Sequence, residues 1–275
     1  GEFIQTILRV PEFDAESSVV FATKRGTVKK TALEAYSRPK QGGIRAITLD
    51  EDDQVISVCL ARPGDTIVIA SKNGRAIRFD EAAARAMGRT SRGVRGIRLR
   101  EDDQVVGMIV AEAGATLLSA CEHGHGKRTP IEEYPIKGRG GQGVINIRTE
   151  GRNGPVVDVK LCADGDDAMY ITENGMIVRT PVADISSMGR NTQGVRLINL
   201  KKDDRLVAVE IVAAADLERF GSDEVGEEAI PVQDAEGPEE VLEDLDEGDE
   251  VEDDDELDDT DEEAGEDPED VGGEA

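Results

Sequence analysis

The residues best placed to do chemistry in this sequence are lysines and arginines that return at a fixed interval. One set stands four residues after a turn glycine: Lys30, Arg78, Arg128 and Arg179, with Lys29 and Lys127 beside two of them. A second set stands two residues after a later glycine: Arg45, Arg95 and Arg196, with Ile145 in the third place. A third set precedes that glycine: Arg38 and Lys40, Arg89 and Arg92, Lys137 and Arg139, and Arg190. Cations in register suit a ligand that is itself a row of anions, such as the backbone of duplex DNA. Lys and Arg on phosphates supply affinity without reading base sequence. Any one of these residues alone is better read as a solvated rim charge facing Asp or Glu. Three sets in register favour the phosphate reading.

Other chemistries find little support. His123 and His125 flank Gly124 with no His or Cys ligand pair nearby, so they read as turn residues. No G-x-S-x-G and no G-x-x-x-x-G-K-[ST] occurs, which leaves neither a nucleophile elbow nor a P-loop. No carboxylate sits in an apolar setting that would tune its pKa. Tyr36, Tyr134 and Tyr170 occur in unlike contexts, two in connectors and one in a strand. Cys59, Cys121 and Cys162 show no C-x-x-C spacing and have apolar neighbours, which predicts reduced, buried thiols in a cytoplasmic protein. An enzyme at the channel of a propeller is therefore a weak reading. A propeller that binds only proteins stays open.

The elements that position the cations repeat too. Gly43, Gly93, Gly143 and Gly194 each open a stretch of the form Gly-Val/Ile-x-x-Ile, and their spacings are 50, 50 and 51 residues. A period of this size marks a repeat architecture. Four units follow, about 18–64, 65–114, 115–165 and 166–215. Each begins with an apolar strand, at 19–23, 66–70, 116–120 and 168–172. A hairpin turn follows at Lys24-Arg25-Gly26, Lys72-Asn73-Gly74, Glu122-His123-Gly124 and Glu173-Asn174-Gly175. Glycine there supplies the positive φ that such turns need. The second strand leads to a connector with some helical character, then to the glycine stretch as a third strand. A second turn precedes a fourth, almost wholly apolar strand at 55–60, 105–110, 156–161 and 206–211. Continuous apolar runs of that kind predict burial on both faces. Four strands per unit predict an all-β, propeller-like array of about four four-stranded blades. A linear β-solenoid is the rival, with a usually shorter period and no dedicated hairpins.

The charge of the 275-residue chain is −28, but it is not spread evenly. Residues 222–275 hold 29 of the 60 acidic residues and no basic one, so residues 1–221 carry 31 acids against all 32 bases. A near-neutral body thus precedes an acidic tail, 221–275, which is expected to be disordered because it has too little apolar surface to offset chain entropy. Residues 1–3 read as a cloning remnant, and 4–14 as the last strand of a preceding blade. No apolar run is long enough to span a membrane, and no secretory signal opens the chain.

The motifs GTVKKT (26–31), RAMGRTSRGVRGIRL (85–99), HGKRTPIEEYPIK (125–137) and MGRNTQGVRLINL (188–200) closely resemble the C-terminal domain of DNA gyrase A, over nearly all of 4–215. The resemblance implies a β-pinwheel that exchanges strands between neighbouring blades, with 15–220 as its DNA-binding blades. It implies non-sequence-specific wrapping of duplex DNA on a basic outer edge, in support of ATP-dependent negative supercoiling, with an acidic tail that modulates wrapping. No cofactor is implied in these residues. ATP, Mg2+ and the breakage-reunion tyrosine belong to other regions of the assembly. The implied partners are the remainder of gyrase A, as a dimer, and gyrase B in an A2B2 holoenzyme, in the bacterial cytoplasm at the nucleoid. The family's Q-R-R-G-G-K-G box has only a degenerate match here, Gly138-Arg139-Gly140-Gly141-Gln142-Gly143. The alternative within the same resemblance is the corresponding domain of topoisomerase IV.

Overall fold

The computed structural model describes residues 4–216. Fifteen strands occur among them, in four repeats. The first repeat contributes β1 (Ser18–Thr23), β2 (Thr27–Ala32) and β3 (Val55–Ala61). The second contributes β4 (Thr66–Ser71), β5 (Arg75–Asp80), β6 (Val94–Arg95) and β7 (Val105–Ala111). The third contributes β8 (Thr116–Cys121), β9 (His125–Pro130), β10 (Val144–Ile145) and β11 (Val156–Cys162). The fourth contributes β12 (Asp167–Thr172), β13 (Ile177–Pro181), β14 (Val195–Arg196) and β15 (Leu206–Val212). The connectors contain short 3-10 turns at Leu33–Tyr36, Glu81–Ala83, Ile131–Glu133 and Val182–Asp184, which is the helical character the sequence suggests.

All named strand pairings are antiparallel, and the sheets run β3-β1-β2-β6, β7-β4-β5-β10, β11-β8-β9-β14 and β15-β12-β13. The last strand of each four-stranded sheet comes from the following repeat. β6 pairs with β2, β10 with β5 and β14 with β9. The glycine stretch therefore leaves its own repeat and seals its predecessor, as the resemblance implies. Backbone bonds extend the splice: Asn146 N donates to the Gly74 carbonyl and Leu197 N to the Gly124 carbonyl, each at 2.8 Å. The fourth sheet has three strands among the described residues. The stretch after Gly43, expected as a strand, forms none: the described residues include no earlier hairpin for it to join.

The core lies between sheets. Val20, Ala22 and Val28 meet Ile67, Ile69, Ile77 and Phe79. Val68 and Ala70 on the opposite face of β4 meet Leu117, Ile131 and Tyr134. Leu118 and Ala120 meet Ala168, Tyr170 and Val182. The first strand of each repeat is thus the one covered on both faces. That corrects the expectation for the fourth strands, whose residues are largely half-buried. Consecutive fourth strands β3, β7, β11 and β15 lie beside one another, which covers part of their apolar run and leaves Val207 44% exposed.

Residues 4–14 form no strand. Leu8 and Val10 pack on a cluster with Val19, Phe21 and Leu33 outside the first sheet. The expectations for residues 1–3 and for 217–275, the acidic tail included, fall outside the described residues. No described helix is long and apolar enough to cross a membrane. The three cysteines are free thiols; Cys121 and Cys162 are buried, and burial pushes the Cys59 and Cys121 thiols up to about 12.

Candidate nucleic-acid interface

The structure divides the basic sets by task. The set after the turn glycine holds repeats together. Lys30 Nζ donates to the Glu81 carbonyl (3.0 Å) and its carboxylate (2.5 Å) in the next repeat. Arg78 Nη1 donates to the Ile131 carbonyl at 2.9 Å, and Arg128 Nε to the Ile185 carbonyl at 2.6 Å while also pairing with Asp164. Lys30 and Arg78 reach the first carbonyl of the next repeat's 3-10 turn, which also accepts from Ala84 N or Tyr134 N, and Arg128 reaches the residue that follows the turn. Arg179, in the last described repeat, pairs with Asp167 of its own sheet at 2.5 Å.

Lys29 and Lys127 are wholly buried. Lys29 Nζ donates to the Ala46 and Arg89 carbonyls, each at 2.5 Å. Lys127 Nζ donates to the Gly189 and Arg190 carbonyls, the latter at 2.5 Å. Burial pulls both amines down to about 8. Lys29, Lys30, Lys127 and Arg128, expected in a DNA-facing band, are all buried, with their charged groups turned toward protein acceptors. Their charge completes the backbone hydrogen bonding of a neighbouring repeat instead.

The second set is exposed. Arg95 and Arg196 stand on β6 and β14, the outermost strands of their sheets, and Arg45 occupies the same repeat position without a strand partner. Glycine opens these strands because the hairpin below leaves no room: a Cβ on Gly194, at φ +80°, would lie 2.2 Å from the Gly126 carbonyl oxygen. Ile145, 40% exposed, takes the place on β10, where its partner across the strand pair is Arg75.

The third set divides again. Arg38, Lys40, Arg92 and Lys137 are exposed, and Arg92 pairs with Asp50 at 3.0 Å. Arg89, Arg139 and Arg190 are half-buried and each donates to the residue two after Gly43, Gly93 or Gly143 of the preceding repeat. The acceptors are the carbonyls of Arg45 (3.5 Å), Arg95 (3.2 Å) and Ile145 (3.0 Å). These arginines thereby hold the backbone that carries the exposed set. A groove of about 610 Å3 opens beside it, lined by Arg25, Arg92, Arg95 and Arg98 with Asp50 and Asp53.

Sequence reasoning missed Arg98 and Arg148, both exposed five residues after their glycines. Their shared repeat position was the available signal. It also missed Arg75, which donates to the Gln142 and Gly143 carbonyls at 2.9 and 2.7 Å, and Arg152, which donates to the Gly194 carbonyl at 3.0 Å. Their placement depends on the strand exchange.

The family model described as DNA gyrase C-terminal domain, beta-propeller, matches residues 17–58, 65–112, 122–163 and 166–213, one segment per repeat. The chain belongs to this family. DNA gyrase A of Salmonella typhimurium is 44% identical over 252 residues, which cover 90% of this chain and 29% of that protein. DNA gyrase A of Streptococcus pyogenes is 53% identical over 217 residues, covering 78% of this chain and 26% of that one. This chain therefore spans under a third of the length of such relatives. Among solved structures, the C-terminal domain of DNA topoisomerase IV superposes with a TM-score of 0.71 at 26% identity, covering 75% of this chain and 65% of that one. The C-terminal domain of DNA gyrase A superposes at 0.68 and 23% identity, covering 74% and 68%, a likeness of fold.

Proposed function

We propose that this chain binds duplex DNA without sequence preference along the outermost strands of its sheets, and bends it from repeat to repeat. The observation that carries this reading is the exposure of Arg45, Arg95 and Arg196 at one repeat position, two of them on edge strands. In this reading residues 15–220 are the DNA-binding blades and 221–275 an acidic tail that modulates wrapping. In the same reading the wider assembly is gyrase A, paired with gyrase B as A2B2, driving ATP-dependent negative supercoiling in the bacterial cytoplasm, at the nucleoid; likeness to gyrase A proteins supports it. Identities of 44% and 53% to gyrase A proteins favour that assembly over topoisomerase IV.

A mobility shift with a duplex of about 40 base pairs tests the reading. Two unrelated sequences should bind equally, and log affinity should fall linearly with log salt by about 0.9 per phosphate engaged. A preference for one sequence, or binding that ignores salt, would refute it.

A further inference from the structure

Three of the four repeats place paired carboxylates in the turn before the fourth strand: Asp52-Asp53, Asp102-Asp103 and Asp203-Asp204. There they cap the neighbouring hairpin. Asp53 accepts from Arg25 N at 3.0 Å, Asp103 from Asn73 N at 2.9 Å and Asp204 from Asn174 N at 3.2 Å. The third repeat has one more residue at this place, Gly151-Arg152-Asn153-Gly154, and no carboxylate. The hairpin is capped by the Asn153 carbonyl instead, accepting from His123 N at 3.1 Å. A local acid pair has been exchanged for a guanidinium while the turn's structural task is kept.

That hairpin holds the two histidines of the chain. His125 is directly opposed to Arg196 in the β9–β14 register. Side chains so opposed leave the sheet on the same side, with Cβ atoms about 4.5–5.5 Å apart. Arg152 Nη2 donates to the Gly194 carbonyl at 3.0 Å, next to that strand. The charged or titratable groups acting on His125 are Arg196 from β14, Arg152 from the turn before β11, and His123 from its own hairpin. No carboxylate is among them, and neither Arg152 nor Arg196 makes an ion pair among the described residues. Burial first, then Arg152 and Arg196, hold the imidazole below its ordinary value. Its Nδ1–H tautomer donates to the His123 carbonyl at 3.2 Å. The neutral ring then has only a lone pair at Nε2 to present, and protonation turns that atom into a donor.

We infer that Arg152, Arg196 and His125 form a phosphodiester site on the outer edge of the third repeat, engaged by two residues at neutral pH and by three in acid. This inference rests on the DNA-binding reading. A phosphate placed between two guanidiniums supplies the missing anion and favours the imidazolium, so DNA binding takes up a proton at His125. The two unpaired arginines bind at any pH; the histidine adds a contact as pH falls. The other repeats lack this device because they carry Thr27, Arg75 or Met176 where the third has His125.

The test uses the whole chain and the same duplex between pH 5.5 and 7.5. Parent protein should bind about threefold to tenfold more tightly at the acid end than His125→Gln does, both being compared with their own pH 7.5 affinity. The parent's salt slope should steepen by about 0.9 in acid, and that of the variant should not. Arg152→Asp, which restores a carboxylate to the turn, should weaken binding at both ends. With only two histidines, NMR titration reads His125 directly, and its pKa should rise when duplex is saturating. An equal pH response in parent and His125→Gln, or a His125 pKa that DNA leaves unmoved, would overturn the inference while leaving DNA binding intact. Absence of binding at every pH would overturn the DNA reading itself, a separate outcome visible in the parent alone.

Discussion

Among single residues, burial separates lysines that look alike in sequence. Lys29 and Lys127 share a repeat position with Ile77 and Val178. Apolar residues at that position were the legible sign that it faces inward. The sign is easily overridden by the neighbouring Lys30 and Arg128, which extend a basic pattern. What the sequence could not display is the pair of backbone carbonyls that the fold brings to each amine from distant connectors. Lys127→Ile should therefore fold, since Ile77 fills the same place in another repeat, but it removes one of two donors from each of the Gly189 and Arg190 carbonyls, which Thr192 also serves, at a cost of about 1–3 kcal/mol. The sign of the pH dependence follows from the lowered amine. Between about pH 8 and its ordinary range near 10.5, the unfolded chain holds the proton and the folded one has released it. Stability from this group rises with pH across that window. Thermal melts at pH 7 and pH 9.5 should show the gap between parent and variant widening in favour of the parent; a constant gap would place the Lys127 amine in water.

Among the elements, the two-residue strands β6, β10 and β14 matter more than their length suggests, because each closes a sheet begun by another repeat. The period of the glycines, the hairpins and the strand order within a repeat were all readable, since they rest on local turn chemistry and alternation. The exchange was not readable from local pattern and came only from resemblance, because a Gly-Val-Arg strand looks the same whichever hairpin it joins. The misplaced burial of the fourth strands has a like cause: an apolar run does not say whether one neighbour or two will cover it. Gly194→Ala should cost clearly more than Gly43→Ala. Both residues have positive φ, which costs about 1 kcal/mol or more in strain, but only Gly194 would drive a Cβ into a carbonyl. Nothing lies within 4 Å of the Cβ position at Gly43. Equal destabilisation in chemical denaturation would mean that the splice does not depend on close approach.

Over the molecule as a whole, a body with nearly balanced charge is joined to a run of 29 carboxylates with no base. A tethered polyanion competes with DNA for exposed arginines, at an effective concentration of order millimolar for short linkers and lower for long ones. Ending the chain after Gly221 should tighten DNA binding at low salt, with the gain shrinking as salt screens both partners. Equal affinity at low salt would leave the tail a solubilising role alone.

A basic surface is too broad a description of this protein: in the proposed reading the arginines of the outermost position meet DNA, while Lys30, Arg78 and Arg128 after the hairpin glycine hold repeats together. The direct measurement is the salt dependence of duplex affinity for Arg45, Arg95 and Arg196 changed together to Gln, beside Arg179→Gln, which removes a cation paired with Asp167. The triple variant should melt like the parent, bind more weakly to every sequence, and lose about 0.9 of salt slope for each contact removed. Arg179→Gln should leave the slope where it was. A triple variant that keeps the parental slope, or an Arg179→Gln that flattens it as much, would contradict this division of labour.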